Sequence, residues 1–138
     1  MNSIKVLYID DESLTEKMKS RFDILEDYDI KVQAESDLRN VVNNLTELIQ
    51  NKNIIIMDLI MPPGFSFDLE ETNGGSMTGL AVIKKIREIN KKIPIMIVSI
   101  KGKNSIEQNI IENFKISEVI NKSVPTIELV ALIKQYAI

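Results

Sequence analysis

The chain contains no cysteine, no histidine and no tryptophan. Without cysteine there is no disulfide scaffold and no thiolate metal site. Without histidine there is no imidazole ligand and no histidine general base, which excludes serine-protease and zinc-hydrolase chemistry from this chain's own residues. Charge of one sign is also lacking. Seventeen basic residues face 20 acidic ones, a formal charge of −3, so no general basic field exists for a phosphate backbone and direct nucleic-acid binding is not expected. No segment approaches the roughly 20 apolar residues of a membrane helix. The N-terminal apolar run meets Asp10, Asp11 and Glu12 too early for a signal-peptide core, so a cytoplasmic location without membrane contact is the expectation.

What is present is an ordinary globular balance, 44% hydrophobic and 27% charged over 138 residues, which suits one domain spanning 1–138. Short apolar runs rich in β-branched residues alternate with amphipathic stretches. Ile4 to Ile9, Ile30 to Ala34, Ile54 to Met57, Ile95 to Val98 and the minimal pair Val119-Ile120 read as strands. Between them, Ser13 to about Leu25, Leu38 to Ile49, Leu80 to Ile89, Ser105 to Phe114 and Ile127 to Tyr136 carry apolar residues at helical spacing. Strands that are apolar throughout, alternating with helices, predict an α/β fold: a five-stranded parallel sheet, doubly wound and flavodoxin-like with order 2-1-3-4-5, covered by helices on both faces. One region breaks the rhythm. Met61 to about Thr78 gathers Pro62, Pro63, Gly64, Gly74 and Gly75 with Asp68, Glu70 and Glu71, too long and too polar for a routine connection. Its Gly74-Gly75-Ser76 run lacks the lysine of a phosphate-binding loop.

Ligands of such sheets bind beyond the carboxyl ends of the strands, near the switch point. That rule singles out Asp10, Asp11, Asp58, Ser99 and Lys122. The three acids follow the first and third strands, which are neighbours in the expected order, so they converge. Carboxylates gathered at low dielectric repel one another unless a cation compensates, and oxygen ligands favour a hard ion such as Mg²⁺. Ser99 offers a hydroxyl and Lys122 a mobile positive charge. Phosphoryl transfer needs these parts: a nucleophilic oxygen, Mg²⁺ and donors around the equatorial oxygens. Residue types alone do not choose the nucleophile, although the adjacency of Asp10 and Asp11 makes them a metal-binding pair and points to the solitary Asp58.

Four segments in order, Val6-Leu7-Tyr8-Ile9-Asp10-Asp11-Glu12, Ile56-Met57-Asp58-Leu59-Ile60-Met61-Pro62, Ile93-Pro94-Ile95-Met96-Ile97-Val98-Ser99 and Val119-Ile120-Asn121-Lys122, give the chain its likeness to a family. Across essentially its whole length it resembles the receiver domains of bacterial two-component response regulators. The resemblance implies that Asp58 is the phosphoacceptor and that Asp10, Asp11, Asp58 and the Ile60 backbone carbonyl hold Mg²⁺. It also implies that Ser99 and Lys122 contact the phosphoryl oxygens. The donor it implies is a phosphohistidine on a histidine kinase or phosphotransfer protein, and the recipient of the signal a downstream effector protein, met by a surface around residues 105–136. A receiver of this kind is a phosphoacceptor that assists its own phosphorylation and dephosphorylation, not an enzyme acting on an external substrate.

Three departures from the family pattern bear on mechanism. Gly79 lies far beyond Pro62, so 63–78 reads as an insertion beside the site. Lys122 is followed by Ser123 rather than by the family's proline. The family's switch aromatic aligns with Val119, so signalling through a rotating aromatic is not expected. The last two departures, Ser123 after Lys122 and Val119, support one alternative, a pseudo-receiver that binds its partner without phosphorylation. A hydrolase is disfavoured because Ile60 stands where an acid–base partner, two residues after Asp58, is required.

Overall fold

Four of the five apolar runs close on a short polar residue, Asp10, Asp58, Ser99 or Asn121, and the strands end at or beside it. The computed structural model, which describes residues 3–62, 67, 70–72 and 74–138, contains strands β1 (Ile4–Ile9), β2 (Ile30–Glu35), β3 (Ile54–Asp58), β4 (Ile95–Ser99) and β5 (Ile116–Asn121). All neighbouring strands pair in parallel, in the expected order β2-β1-β3-β4-β5. Helices α1 (Glu16–Asp27), α2 (Leu38–Asn43), α3 (Leu45–Ile49), α4 (Thr78–Ile89), α5 (Gln108–Asn113) and α6 (Thr126–Tyr136) form the connections and the close of the chain.

The period-two alternation of the strands divides the core. Val6, Tyr8, Ile54, Ile56, Met96, Val98 and Ile120 pack with Met18 and Leu25 of α1 and Leu129, Val130 and Ile133 of α6. Leu7, Ile9, Ile55, Met57, Ile95, Ile97 and Val119 pack on the opposite face with α2, α3 and α4. Burying each such aliphatic chain contributes roughly 1.5–3 kcal/mol, and a central strand buried on both faces has no alternative register that keeps both. Among the described residues no helix is long and apolar enough to cross a membrane.

Local polar chemistry adjusts the expected boundaries. Helix α1 starts at Glu16 rather than Ser13, because the Thr15 hydroxyl caps it by accepting the Met18 N–H at 3.4 Å while Ser13 N–H donates to Asp10 O at 3.0 Å. The second helical stretch breaks at Asn44, whose side chain turns back to donate to Asn40 O at 3.1 Å and Asn40 Oδ1 at 2.8 Å. Strand β5 begins earlier than the Val119-Ile120 pair, directly after Lys115 in the left-handed region at φ 54°.

Of the expected insertion at 63–78, Pro63, Gly64, Phe65, Ser66, Asp68, Leu69 and Asn73 lie outside the described residues. Its two ends meet. The buried Thr78 hydroxyl donates to Met61 O at 2.5 Å, and contacts Gly75 O at 3.1 Å. Thr72 accepts Gly75 N–H on its hydroxyl at 3.2 Å and Met77 N–H on its carbonyl at 2.8 Å. Phe67 is buried in the core beneath the Lys85 ammonium, 5.7 Å from the ring centre.

Candidate functional site

Four strand ends on one rim of the sheet carry the same local device. A short polar side chain folds back to accept the N–H two residues on: Asp10 Oδ1 from Glu12 at 2.8 Å, Asp58 Oδ1 from Ile60 at 3.2 Å, Ser99 Oγ from Lys101 at 3.2 Å and Asn121 Oδ1 from Ser123 at 2.9 Å. Such turns lead the backbone off the sheet at once, and Asp, Asn and Ser are the residues that make them. The side chains needed for chemistry therefore gather where the strands stop.

Carboxylate oxygens of Asp10, Asp11 and Asp58 lie within 4.8 Å of one another. Asp10 and Asp58 are buried and Asp11 is exposed. From beyond β5, Lys122 places Nζ 3.0 Å from Asp58 Oδ2, 3.3 Å from Asp10 Oδ2 and 4.0 Å from the more exposed Glu12. The Asp58 contact is a hydrogen bond, whereas the Asp10 contact is an ion pair that leaves the fully buried Asp10 Oδ2 without a well-aligned hydrogen bond among the described residues. Burial pushes the Asp58 carboxyl up from the usual range, and the Asp10 charge adds to it against the opposing pull of Lys122 and the Ile60 N–H. Asp11 is likewise pushed up, by burial first and then by the Asp10 and Glu12 charges. For Lys122 burial works against the charge, but the Asp58 hydrogen bond and the Asp10 charge outweigh it and hold the ammonium above the ordinary lysine range.

One ammonium thus faces more than one negative charge, leaving the cluster short of positive charge. Three hard carboxylate oxygens, one of them buried without a well-aligned hydrogen bond, suit a divalent cation that prefers oxygen, and Mg²⁺ fits this donor set. Ile60, two residues on from Asp58, has its N–H held on Asp58 Oδ1 at 3.2 Å. Ser99 is fully buried one register step beyond Val98, which pairs with Asp58, and its carbonyl accepts the Lys122 N–H at 2.9 Å.

Gly79 is a further part of this rim. It stands in the first turn of α4 against the backbone of the acid strand, where a Cβ would lie 2.4 Å from Asp58 O and 2.8 Å from Leu59 Cα, and its N–H donates to Leu59 O at 2.9 Å. The sequence signal was a glycine at the head of a helical run, obscured by the preceding insertion. Val119 is buried among aliphatic residues, and all peptide bonds of the described residues, Lys122-Ser123 included, are trans.

The doubly wound parallel sheet is an architecture shared with solved proteins. A response regulator receiver domain protein from Clostridium thermocellum is 21% identical, with a TM-score of 0.69 over 96% of this chain and 93% of that one. A response regulator from Desulfuromonas acetoxidans is 15% identical, with a TM-score of 0.70 over 96% of this chain and 94% of that one. A sensor protein from Polaromonas is 12% identical, with a TM-score of 0.74 over the same shares, 96% and 94%. The chain therefore has the fold of response regulator receiver domains along nearly its whole length. It matches no protein-family model and no curated protein.

Proposed function

We propose that this chain is a phosphorelay receiver: Asp58 accepts a phosphoryl group from the phosphohistidine of a histidine kinase or phosphotransfer protein, and the modification shifts affinity for a downstream effector. The reading rests above all on Lys122 Nζ standing 3.0 Å from Asp58 Oδ2 within a cluster of three carboxylates. In the transfer, an Asp58 carboxylate oxygen attacks phosphorus, the P–N bond of the donor breaks, and the departing imidazole keeps the electron pair and takes a proton from solvent. The donor supplies the imidazole that this chain lacks.

Asp10, Asp11, Asp58 and the Ile60 carbonyl are the groups assigned to Mg²⁺, which when bound neutralises charge developing on the phosphoryl oxygens. The Ile60 N–H on Asp58 Oδ1 fixes the carboxylate plane. Lys122 exchanges its hydrogen bond with Asp58 for one with a phosphoryl oxygen, and the Ser99 hydroxyl supplies a second donor. Two states need differ by only a few kcal/mol in affinity for a partner for the modification to act as a switch.

The test is intact-mass analysis of the native chain, the Asp58→Asn variant and a Mg²⁺-free control after incubation with acetyl phosphate or phosphoramidate. A single phosphoryl adduct on the native chain, missing from both controls, is expected. A folded native chain that takes no adduct from either donor overturns the proposal in favour of phosphorylation-independent binding.

A further inference from the structure

We infer that Asn121 is the positioning residue for Lys122. The inference rests on the phosphoacceptor reading for its importance, but not for its geometry. Lys122 has to span from β5 to the acids at the ends of β1 and β3, and among the described residues its own backbone is secured by the N–H bond to Ser99 O at 2.9 Å. With serine at 123, no proline ring fixes the backbone after it. Asn121 supplies the missing restraint with four hydrogen bonds that enclose Lys122 from both sides. Its Oδ1 accepts the Ser123 N–H at 2.9 Å and the Ser123 hydroxyl at 2.7 Å, and its carbonyl accepts the Val124 N–H at 2.9 Å. Its Nδ2 reaches across to Ile100 O at 3.4 Å.

That last contact ties two adjacent strand ends together. Ser99 and Asn121 are register partners on β4 and β5. Each turns off the sheet through its own side chain, and the two turns are joined by Asn121 Nδ2 on Ile100 O and by Lys122 N–H on Ser99 O. Next along the chain, Val124 O accepts a hydrogen bond from the Arg21 guanidinium at 2.5 Å, anchoring the far side of the turn to α1. The segment bearing Lys122 is therefore held at three points, and Asn121 provides the one adjoining Lys122 in the chain. Because these bonds are largely open to solvent, each is modest, and removing the side chain frees the segment without unfolding the sheet.

Two readouts test this. The first is the acylation rate of Lys122 by an N-hydroxysuccinimide ester, followed by peptide mass spectrometry, which needs no phosphorylation. Asn121→Ala is expected to raise it roughly threefold or more by releasing the ammonium from Asp58. The second is the rate of Asp58 phosphorylation by acetyl phosphate, expected to fall roughly three- to tenfold in Asn121→Ala. In a Lys122→Ala background the same substitution should add nothing, since the two residues act as a unit. Unchanged acylation in Asn121→Ala, or a loss that multiplies with that of Lys122→Ala, overturns the inference. If Asn121→Ala fails to fold, Ser123→Ala removes only the hydroxyl contact and is expected to raise Lys122 acylation about twofold, with no rise counting against the inference. A native chain that takes no phosphoryl group sinks the functional reading alone, and the acylation rates still decide the role of Asn121.

Discussion

The two rims of the sheet use polar side chains to opposite ends. At the amino rim, Arg87 donates to four backbone carbonyls, Phe114 at 2.8 Å, Ile93 at 2.8 Å, Asn90 at 3.2 Å and Lys115 at 3.2 Å. Asn53 accepts the Lys5 N–H at 2.7 Å and donates to Ile138 O, while Asn90 Oδ1 accepts the N–H groups of Lys92 and Ile93, both at 2.9 Å. These groups close loops and are spent within the chain. At the carboxyl rim the same kinds of turn leave Asp10 Oδ2 and Ser13 Oγ buried without a well-aligned hydrogen bond among the described residues and set three carboxylates against one ammonium. The contrast separates polar groups that hold the fold from polar groups held ready for something outside it, a division expected when a site is built at the expense of local stability.

Substitutions that cross this division test it hardest. Gly79→Ala is a carboxyl-rim change that should cost both stability and chemistry, on the order of 3 kcal/mol by denaturant melting, because backbone rather than a flexible side chain stands 2.4 Å from the new Cβ. Mg²⁺ should do the reverse. At about 100-fold over its dissociation constant it is expected to add about 2.7 kcal/mol to the native chain, and much less to Asp10→Asn, as read from paired urea melts. Arg87→Ala should lower stability by about 2 kcal/mol through four orphaned carbonyls, yet leave the phosphorylation rate of the folded fraction unchanged.

The pH dependence sharpens the comparison further. Asp58 and Asp11 are both raised above the ordinary carboxylate range, so near the top of their titration the native chain holds protons that the unfolded chain has released. Their ionisation opposes folding in full above the folded pKa values, and the opposition fades as pH falls through them toward the unfolded values. In metal-free buffer, Asp58→Asn should therefore melt above the native chain at about pH 7, with the gap narrowing as pH falls toward the ordinary carboxylate range. The smallest effect belongs to Asn53→Ala, about 0.5–1 kcal/mol, because its bonds are exposed.

Where the sequence was informative, one dominant force acted on one element. Five apolar runs with polar ends specify a doubly wound sheet because burial on both faces leaves few solutions, and the order β2-β1-β3-β4-β5 follows. The neighbourhood of Asp10, Asp11, Asp58 and Lys122 was legible for the same reason, since strand order fixes which ends meet. Less legible were features set by competition between small local terms. The break at Asn44 depends on a side chain preferring Asn40 O and Oδ1 to solvent. The start of α1 depends on Thr15 outcompeting Ser13 as cap. Gly79 stood out in the sequence only by its distance from Pro62; its partner, the Asp58 carbonyl, lies 21 positions earlier across the insertion, and only three-dimensional packing reveals why a side chain there is excluded.

The hydroxyl of Thr78 on the carbonyl of Met61 makes the chain between them modular. With its two ends fixed to one another, the stretch pays little closure entropy for added length, each doubling of a loop costing only about 0.6 kcal/mol, provided that Phe67 keeps its place in the core. A scaffold with this latch sets where the stretch leaves and rejoins the fold, so that a change of length between the two points need not move the acid strand.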